Sequence, residues 1–546
     1  MPRGRALAAE STCRFLERNG RSLHLILLGA LCVLAGIYSA SLGTDANWDL
    51  KNYHLYNPFA FFENRLFYDV APGELQTYFS PLFDLHYYLL FKYLNDWPHL
   101  VAFIQGIPAG IFAYLTFRVS LVVSTAVMGS GPTPWACAAL ATALGMTGAG
   151  VAPLIGLQTG DIQVGVMALA SLAIVLDCLQ HPGPKAWRLG AAGLLAGIGL
   201  AGKMTAIIYC APLGLLVLVM FRLRDAAVFG FAMVVAFLAL WGPYGWRLWI
   251  EFGNPLFPYY NDIFRSPDWL PIRLVTFRVQ PLSILQLIFF PFLWTYPGYG
   301  LVTEIEMQDL RLSLLFVALA LGAIVGFWRL VKSAIRRSFQ DTVAMVRAGF
   351  SEDRTQIALI LFLVFSYFLW LELFAIYRFL IVVEALTGAG LIVVAGAIFR
   401  HHAVPVLCVL AVAAIVANVF IVRPGWGRAP FGKHVIYVEP MPVAPGSLVV
   451  IADDWPHGFV VPLLPPDTQV INIYSNFIKP GESYGLNRRM TELVRSHVGP
   501  FATISAPEVP EAVVKDRLAQ YGLSERDCVV LATNIAGLLR ICQAFR

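Results

Sequence analysis

The sequence predicts a multi-spanning α-helical membrane protein that ends in a small α/β domain. Three observations predict it. Of 546 residues, 58% are apolar and only 13% charged, where an ordinary soluble chain carries roughly 25% charged residues; the mean hydropathy is +0.67. Apolar runs close to the length of a membrane span recur as far as residue 422, and basic residues fall at alternate ends of them, as the positive-inside rule requires. From residue 424 the pattern changes to short β-branched runs alternating with helix-like segments, the mark of a small α/β unit. The net charge of +5 is explained by topology and calls for no nucleic-acid partner. Aromatics at 13% suit belts at the two membrane interfaces.

The first element is a basic tail, residues 1–22, with Arg3, Arg5, Arg14, Arg18 and Arg21. The apolar run that follows, 23–42, exceeds the core of about 7 to 15 residues in a cleaved signal and approaches the roughly 20 that a span needs. It reads as an uncleaved first helix with its basic end in the cytoplasm. Further spans are predicted at 99–117, 134–150, 162–179, 189–204, 206–221, 227–250, 311–331, 355–376, 379–399 and 403–422. Arg118, Lys185 with Arg188, Arg222 with Arg224, and Arg400 mark their cytoplasmic ends. The segment from Pro281 to Gly300 contains Pro291 and Pro297. As a full crossing it would put Arg329, Lys332, Arg336, Arg337, Arg347 and Arg354 outside, so it is assigned as re-entrant or interfacial.

Eleven spans result, forming a module over 23–422. Long external loops cover 43–98 and 251–310, and an α/β domain at 424–546 lies on the periplasmic or extracellular side. In that domain Leu448–Ala452 and Gln469–Ile473 read as strands, and 487–497 and 511–522 as helices. Six of the eight cysteines lie in the N-terminal tail or the spans, where a thiol is a small apolar residue. Cys528 and Cys542 lie in the terminal domain, in runs able to pair as neighbouring strands. A disulfide and two free thiols both stay open.

The chemistry concentrates just after the first span, in Thr44, Asp45, Trp48, Asp49, Tyr53, His54, Tyr56 and Asn57. A carboxylate this close to hydrocarbon is costly unless it faces water or a protein-lined cavity. Asp49, Tyr53 and Tyr56 recur at helical spacing and would share one face of a helix. Asp45 stands where that helix would begin, which gives it a structural reading as an N-cap. Asp49 is the candidate general base; its structural alternative is an ion pair with Lys51 or Arg65. Asp69, Asp84 and His86 read as solvated loop residues, with Asp84 and His86 also open as contacts to a polar ligand. His54 and His86 are too far apart for a metal-ligand motif.

Lys203, in Gly202-Lys203-Met204-Thr205, sits between two apolar runs at the predicted external face. Snorkelling to the interface and contact with a phosphate are both open. Arg378, in Tyr377-Arg378-Phe379, is its counterpart, with Glu372 and Glu384 near enough to pair with it. Trp241 to Trp249 and Phe252 to Asn261 read as a rigid, aromatic-lined external turn followed by Arg265, Arg273 and Arg278. No phosphate-cradling loop, dinucleotide motif, zinc spacing or nucleophile elbow is present.

With these residues in view, the chain resembles the GT-C superfamily of integral membrane glycosyltransferases. The nearest likeness is to the bacterial branch related to protein O-mannosyltransferases and the lipid A aminoarabinose transferase. It rests on the acidic first loop, Gly202-Lys203-Met204-Thr205, the turn from Gly253 to Pro258, Tyr377-Arg378-Phe379, the many-helix body and the terminal domain. The resemblance implies a GT-C-like fold in the inner membrane of a bacterium. It also implies a sugar donor carried on polyprenyl phosphate and inverting transfer to an acceptor hydroxyl of a lipid, glycan or protein on the outer side.

The family's acid corresponds to Asp49, with Asp45 kept beside it. Lys203, Arg378, Tyr53, Asn57, His54 and Arg273 are the expected donor-binding residues. The family's Asp-Glu pair is replaced here by Asp49-Leu50, so no cofactor is assigned and a divalent metal stays open. Two rival readings use the same residues. One is a transporter or flippase of a lipid-linked sugar, for which the stretch Gln158 to Gln163 is the best support. The other is a non-catalytic envelope assembly factor.

Overall fold

The computed structural model describes residues 2–181, 183, 185–274, 283–298, 302–303, 305–336 and 353–546, with side chains from residue 20 onward except at 288 and 336. Pro281, Gly300, Arg278, Arg337 and Arg347, with the side chains of Arg3, Arg5, Arg14, Arg18 and Arg336, lie outside the described residues. Each apolar run assigned from the sequence is helical. The helices are Pro2–Ser41, Pro98–Met128, Pro132–Met146, Asp161–Gln180, Ala186–Gly202, Ile207–Met220, Leu223–Phe252, Arg311–Arg336, Arg354–Leu373, the pair Ile381–Ala385 and Thr387–Ile398, and Ala403–Val419. Among the described residues six are long and apolar enough to cross a membrane; Tyr377–Ala385 and Thr387–Ile398, bent by 44°, would add a seventh if they form one broken span. The rest are shorter apolar helices.

These helices pack by close approach of small residues, as helices in lipid must when no hydrophobic drive separates them from their solvent. Helix 186–202 lies against helix 223–252 through Gly193 and Gly197. A Cβ at those positions would meet Phe229 O at 2.2 Å and Met233 O at 2.3 Å. Leu223–Phe252 continues straight through Pro243, so Trp241 to Phe252 are helical and the aromatic turn begins only at Gly253. A proline is tolerated there because neighbouring helices can satisfy the freed backbone groups. The short helix Ile284–Leu293 is too brief to cross a bilayer. It leads into a buried charge cluster that the hydropathy pattern conceals. Arg311 and Asp309 are fully buried and pair at 2.7 Å. Asp309 also accepts the Ala149 N–H at 2.8 Å, and Glu384 accepts those of Gly150 and Val151.

The C-terminal domain is a five-stranded sheet. With β1 Thr44–Asp45 and β2 Arg428–Ala429 in the membrane-proximal part, its strands are β3 Leu448–Ile451, β4 Gln469–Asn472, β5 Phe501–Ser505, β6 Ser524–Thr533 and β7 Gly537–Phe545. The order is β4-β3-β5-β7-β6, parallel across β4, β3 and β5 and antiparallel beyond. Cys528 and Cys542 form a disulfide across the β6–β7 hairpin.

Two seams tie this domain to the first loop. β1 pairs antiparallel with β2, Asp45 opposite Arg428. Val70 then adds to the free edge of β4: its N–H donates to Val470 O at 2.9 Å, and its carbonyl accepts from Asn472 N at 3.0 Å. Arg65 and Asp69 brace the second seam. Arg65 bonds Pro466 O and Thr468 O, and Asp69 accepts the Val470 N–H at 2.9 Å. Asp69 is therefore a buried structural carboxylate and not a solvated loop residue.

Candidate active site at the first loop

The chain leaves the first helix through β1 and enters a turn capped by Asn47, whose Oδ1 accepts the Leu50 N–H at 2.9 Å. The N-cap is thus Asn47 and not Asp45. Asp45 instead accepts from the N–H of Gln158 at 2.6 Å and from the Asn47 side-chain amide at 2.7 Å. Burial raises its carboxyl above the ordinary range, against the pull of Arg428. It stitches two loops together.

The turn that follows, Leu50–His54, is a π-helix. Its i→i+5 bonding widens the turn, and both Tyr53 and His54 lie within electrostatic reach of Asp49. The shared face predicted from α spacing is shifted accordingly.

Asp49 is buried and accepts a hydrogen bond from Arg378 Nη1 at 2.6 Å. Burial alone would raise its carboxyl. Arg378 first, then His54 and Lys203, outweigh burial and hold it below the ordinary carboxylate range. The partner of Asp49 is therefore Arg378, 329 positions away, and not Lys51 or Arg65. Glu384, expected beside Arg378, is spent on Gly150, Val151 and the Tyr377 hydroxyl.

Lys203 sits where helix 186–202 ends. Its Nζ donates to Asp161 Oδ1 at 2.5 Å and to Thr159 O at 2.7 Å. The Phe379 ring lies beside both cations, 5.0 Å from Lys203 Nζ and 5.2 Å from Arg378 Cζ. Two carboxylates and two cations thus meet at the end of the bundle that carries the C-terminal domain. Each carboxylate already faces a cation, a donor set that suits a phosphate more than a resident divalent ion. Among the described residues, the close grouping of metal-ligating types is Glu525 with Cys528 and Cys542, and both of its thiols are in the disulfide.

The remaining expected residues divide. Tyr53 and His54 lie in the cluster, their rings 4.1 Å apart. Tyr259 reaches it from the aromatic turn and stacks on Phe79 at 4.9 Å. Asn57 is a loop tie, its amide donating to Gln76 O and Phe79 O at 2.9 and 3.2 Å. Arg273 is more than half exposed and pairs with Asp262 at 3.6 Å.

Three buried residues were missed or underread. Asp84 is 2% exposed and lies 2.7 Å from His54 Nδ1. Gln158 joins it at 2.7 Å, and Asp161 opens a helix behind Gly160, whose φ is 76°. The polar pair Gln158 and Asp161 between apolar runs was the available signal. In the structure Gln158 bonds Asp84 and Asp161 pairs with Lys203, beside Asp49.

No protein-family model matches this chain, and no curated protein does. Among solved structures it is similar to the crystal structure of ArnT from Cupriavidus metallidurans in the apo state. That likeness has 12% sequence identity and a TM-score of 0.48, over 96% of this chain and 98% of that one. It is also similar to ArnT from the same organism bound to undecaprenyl phosphate, at 12% identity and a TM-score of 0.44, over 95% and 97%. Neither likeness assigns a role to a residue of this chain.

Proposed function

We propose that this chain is a GT-C-type membrane glycosyltransferase that moves a sugar from a polyprenyl-phosphate carrier to an acceptor hydroxyl. The observation that carries the reading is the convergence of Asp49, Arg378, Lys203 and Asp161, brought from four distant parts of the sequence to one end of the bundle. A carboxylate and two cations within one partly buried site are what such a reaction needs. The carboxylate receives the acceptor hydroxyl, and the cations neutralise the phosphate that departs.

In this reading Asp49 orients the acceptor O–H and draws on its proton. The oxygen attacks the anomeric carbon from the face opposite the phosphate, and the configuration inverts. Arg378 turns from Asp49 toward the phosphate as the donor enters, and Lys203 approaches from the other side of Phe379. Low local dielectric strengthens both contacts. Asp45 stays a structural tie. By the alternation of basic residues, the site faces the outer side of a bacterial inner membrane.

The test is release of free polyprenyl phosphate from a panel of polyprenyl-phosphate sugars by the full chain in lipid, with envelope extract as acceptor. Wild type should release it, and Asp49→Asn should be slower by about 10²–10⁴-fold, the span of general acid–base catalysis. Equal release by both would remove Asp49 from the chemistry. Movement of intact donor across the bilayer without release would make the chain a flippase.

A further inference from the structure

Asp49 has a weakness as a proton acceptor. Arg378 and its neighbours hold it below the ordinary carboxylate range, so it can orient a hydroxyl but keeps a proton poorly. An effective base titrates near the operating pH, and imidazole is the side chain suited to that range. The π turn puts one beside it.

His54 is 4% exposed. Its Nδ1 lies 2.7 Å from Asp84 Oδ1. The ring is turned off the line of a well-aligned hydrogen bond, yet at that distance a proton must lie between nitrogen and carboxylate oxygen. Its Nε2 is buried and has no hydrogen-bond partner. A buried polar atom left open is costly and asks for an occupant.

Asp84 is itself fixed. Gln158 Nε2 donates to Asp84 Oδ1 at 2.7 Å and to Phe83 O at 2.9 Å. Gln158 Oε1 accepts from Gln105 at 3.0 Å, and Gln105 Oε1 is 3.0 Å from His86 Nε2. Such a chain locks the carboxylate that locks the ring, the arrangement of base and orienting group that marks activated sites.

We propose that His54 is the proton relay of the transfer step, with Asp84 and Gln158 as the residues that position it; this rests on the glycosyl-transfer reading above. The acceptor O–H gives its proton, by way of Asp49, to His54 Nε2. The acceptor oxygen forms the bond to the anomeric carbon, and the anomeric carbon–phosphate oxygen bond breaks with its electron pair on the polyprenyl phosphate. The imidazolium, balanced by Asp84, then returns its proton to the departing phosphate or to water. The charged and titratable groups around His54 are Asp84 from the segment before helix 85–94, Asp49 and Tyr53 on its own turn, and Arg378 and Lys203 behind Asp49.

Two measurements on the full chain in lipid test this. The first is the ring tautomer of His54 by nitrogen-15 NMR, assigned by difference against His54→Gln. The proton should sit on Nδ1 at neutral pH, with Nε2 bare, and Asp84→Asn should weaken that preference. A ring protonated on Nε2 in an active enzyme overturns the relay alone. The second is the pH–rate profile of polyprenyl-phosphate release.

Wild-type kcat should fall on the acid side, where a relay can no longer accept a proton. His54→Gln should lose that limb, with kcat lower by about 10²–10³-fold and donor KM within about twofold, as for a group that acts in the transition state and not in donor binding. An unchanged acid limb in His54→Gln, or a loss confined to KM, overturns the relay. Absence of release from every donor by wild type, with the tautomer as expected, overturns the glycosyl-transfer reading and the relay with it.

Discussion

At the residue scale, the site is a set of buried charges that stabilise one another and would be costly alone. Arg378 is the clearest case. Arg378→Ala should leave Asp49 buried without its main partner, so its carboxyl rises and turnover falls by about 10²-fold or more, the usual loss when an electrostatic stabiliser is removed; the phosphate-release assay reads it. Glu74 is a second case, outside the reaction. It is 1% exposed, its Oε1 accepts from Asn476 Nδ2 at 3.1 Å, and burial pushes its carboxyl up to about 7. The folded value lies above the undocked 4.5. The contact is therefore at full strength below that value and weakens as pH rises through 7, by roughly 3 kcal/mol at most. Thermal melts of the wild type should fall between pH 5 and 8, and Glu74→Gln should flatten that decline.

At the element scale, two devices fix the geometry. The first is the π turn Leu50–His54, which starts directly after Asp49 and keeps His54 within electrostatic reach of it. The second is the carboxylate anchoring of the loop between helices 132–146 and 161–180. Asp309 and Glu384 hold its start at Ala149 to Val151, Asp45 holds Gln158, and Lys203 holds Asp161. Arg311 completes the first anchor with bonds to Asp309, Leu144 O, Thr147 and Asn418. Arg311→Met should leave Asp309 charged, buried and unpaired, destabilising the fold by about 3–5 kcal/mol. A fluorescence melt in detergent should show it, and turnover should fall with the folded fraction.

At the scale of the whole molecule, the C-terminal domain is part of the site's scaffold. The first loop runs along the edge of β4 at Val70 and crosses β2 at Asp45. Gly458 comes so close that a Cβ there would meet Asn52 O at 1.9 Å. Val70→Pro removes the N–H given to Val470 O and should undock the loop. The expected result is faster proteolytic cleavage near residues 64–79 and lower turnover, with the terminal domain still folded by its disulfide-specific mobility on a non-reducing gel. Unchanged cleavage and turnover would mean that the domain does not hold the loop.

Hydropathy and the placement of charges were enough to foresee the helical body and the change to α/β at the end, because burial in lipid acts on runs of residues and leaves its record in composition. They also singled out Asp49, Lys203 and Arg378, since a charge beside an apolar run must have a reason to be there. Who pairs with whom was decided by the tertiary structure alone. Asp49 meets Arg378 across 329 positions and Lys203 meets Asp161 across 42, and no local rule encodes such separations. Asp45 looked like a cap, yet a neighbouring asparagine took that role and a distant backbone claimed the carboxylate. Asn57 and Arg273, expected as donor contacts, are also engaged within the fold, one as a loop tie and the other in a half-exposed ion pair. Asp84 looked solvated because its partners, His54 and Gln158, come from segments 30 and 74 positions away. Periodicity reports which face of an element is apolar; the partner of a buried charge is fixed only when the elements pack.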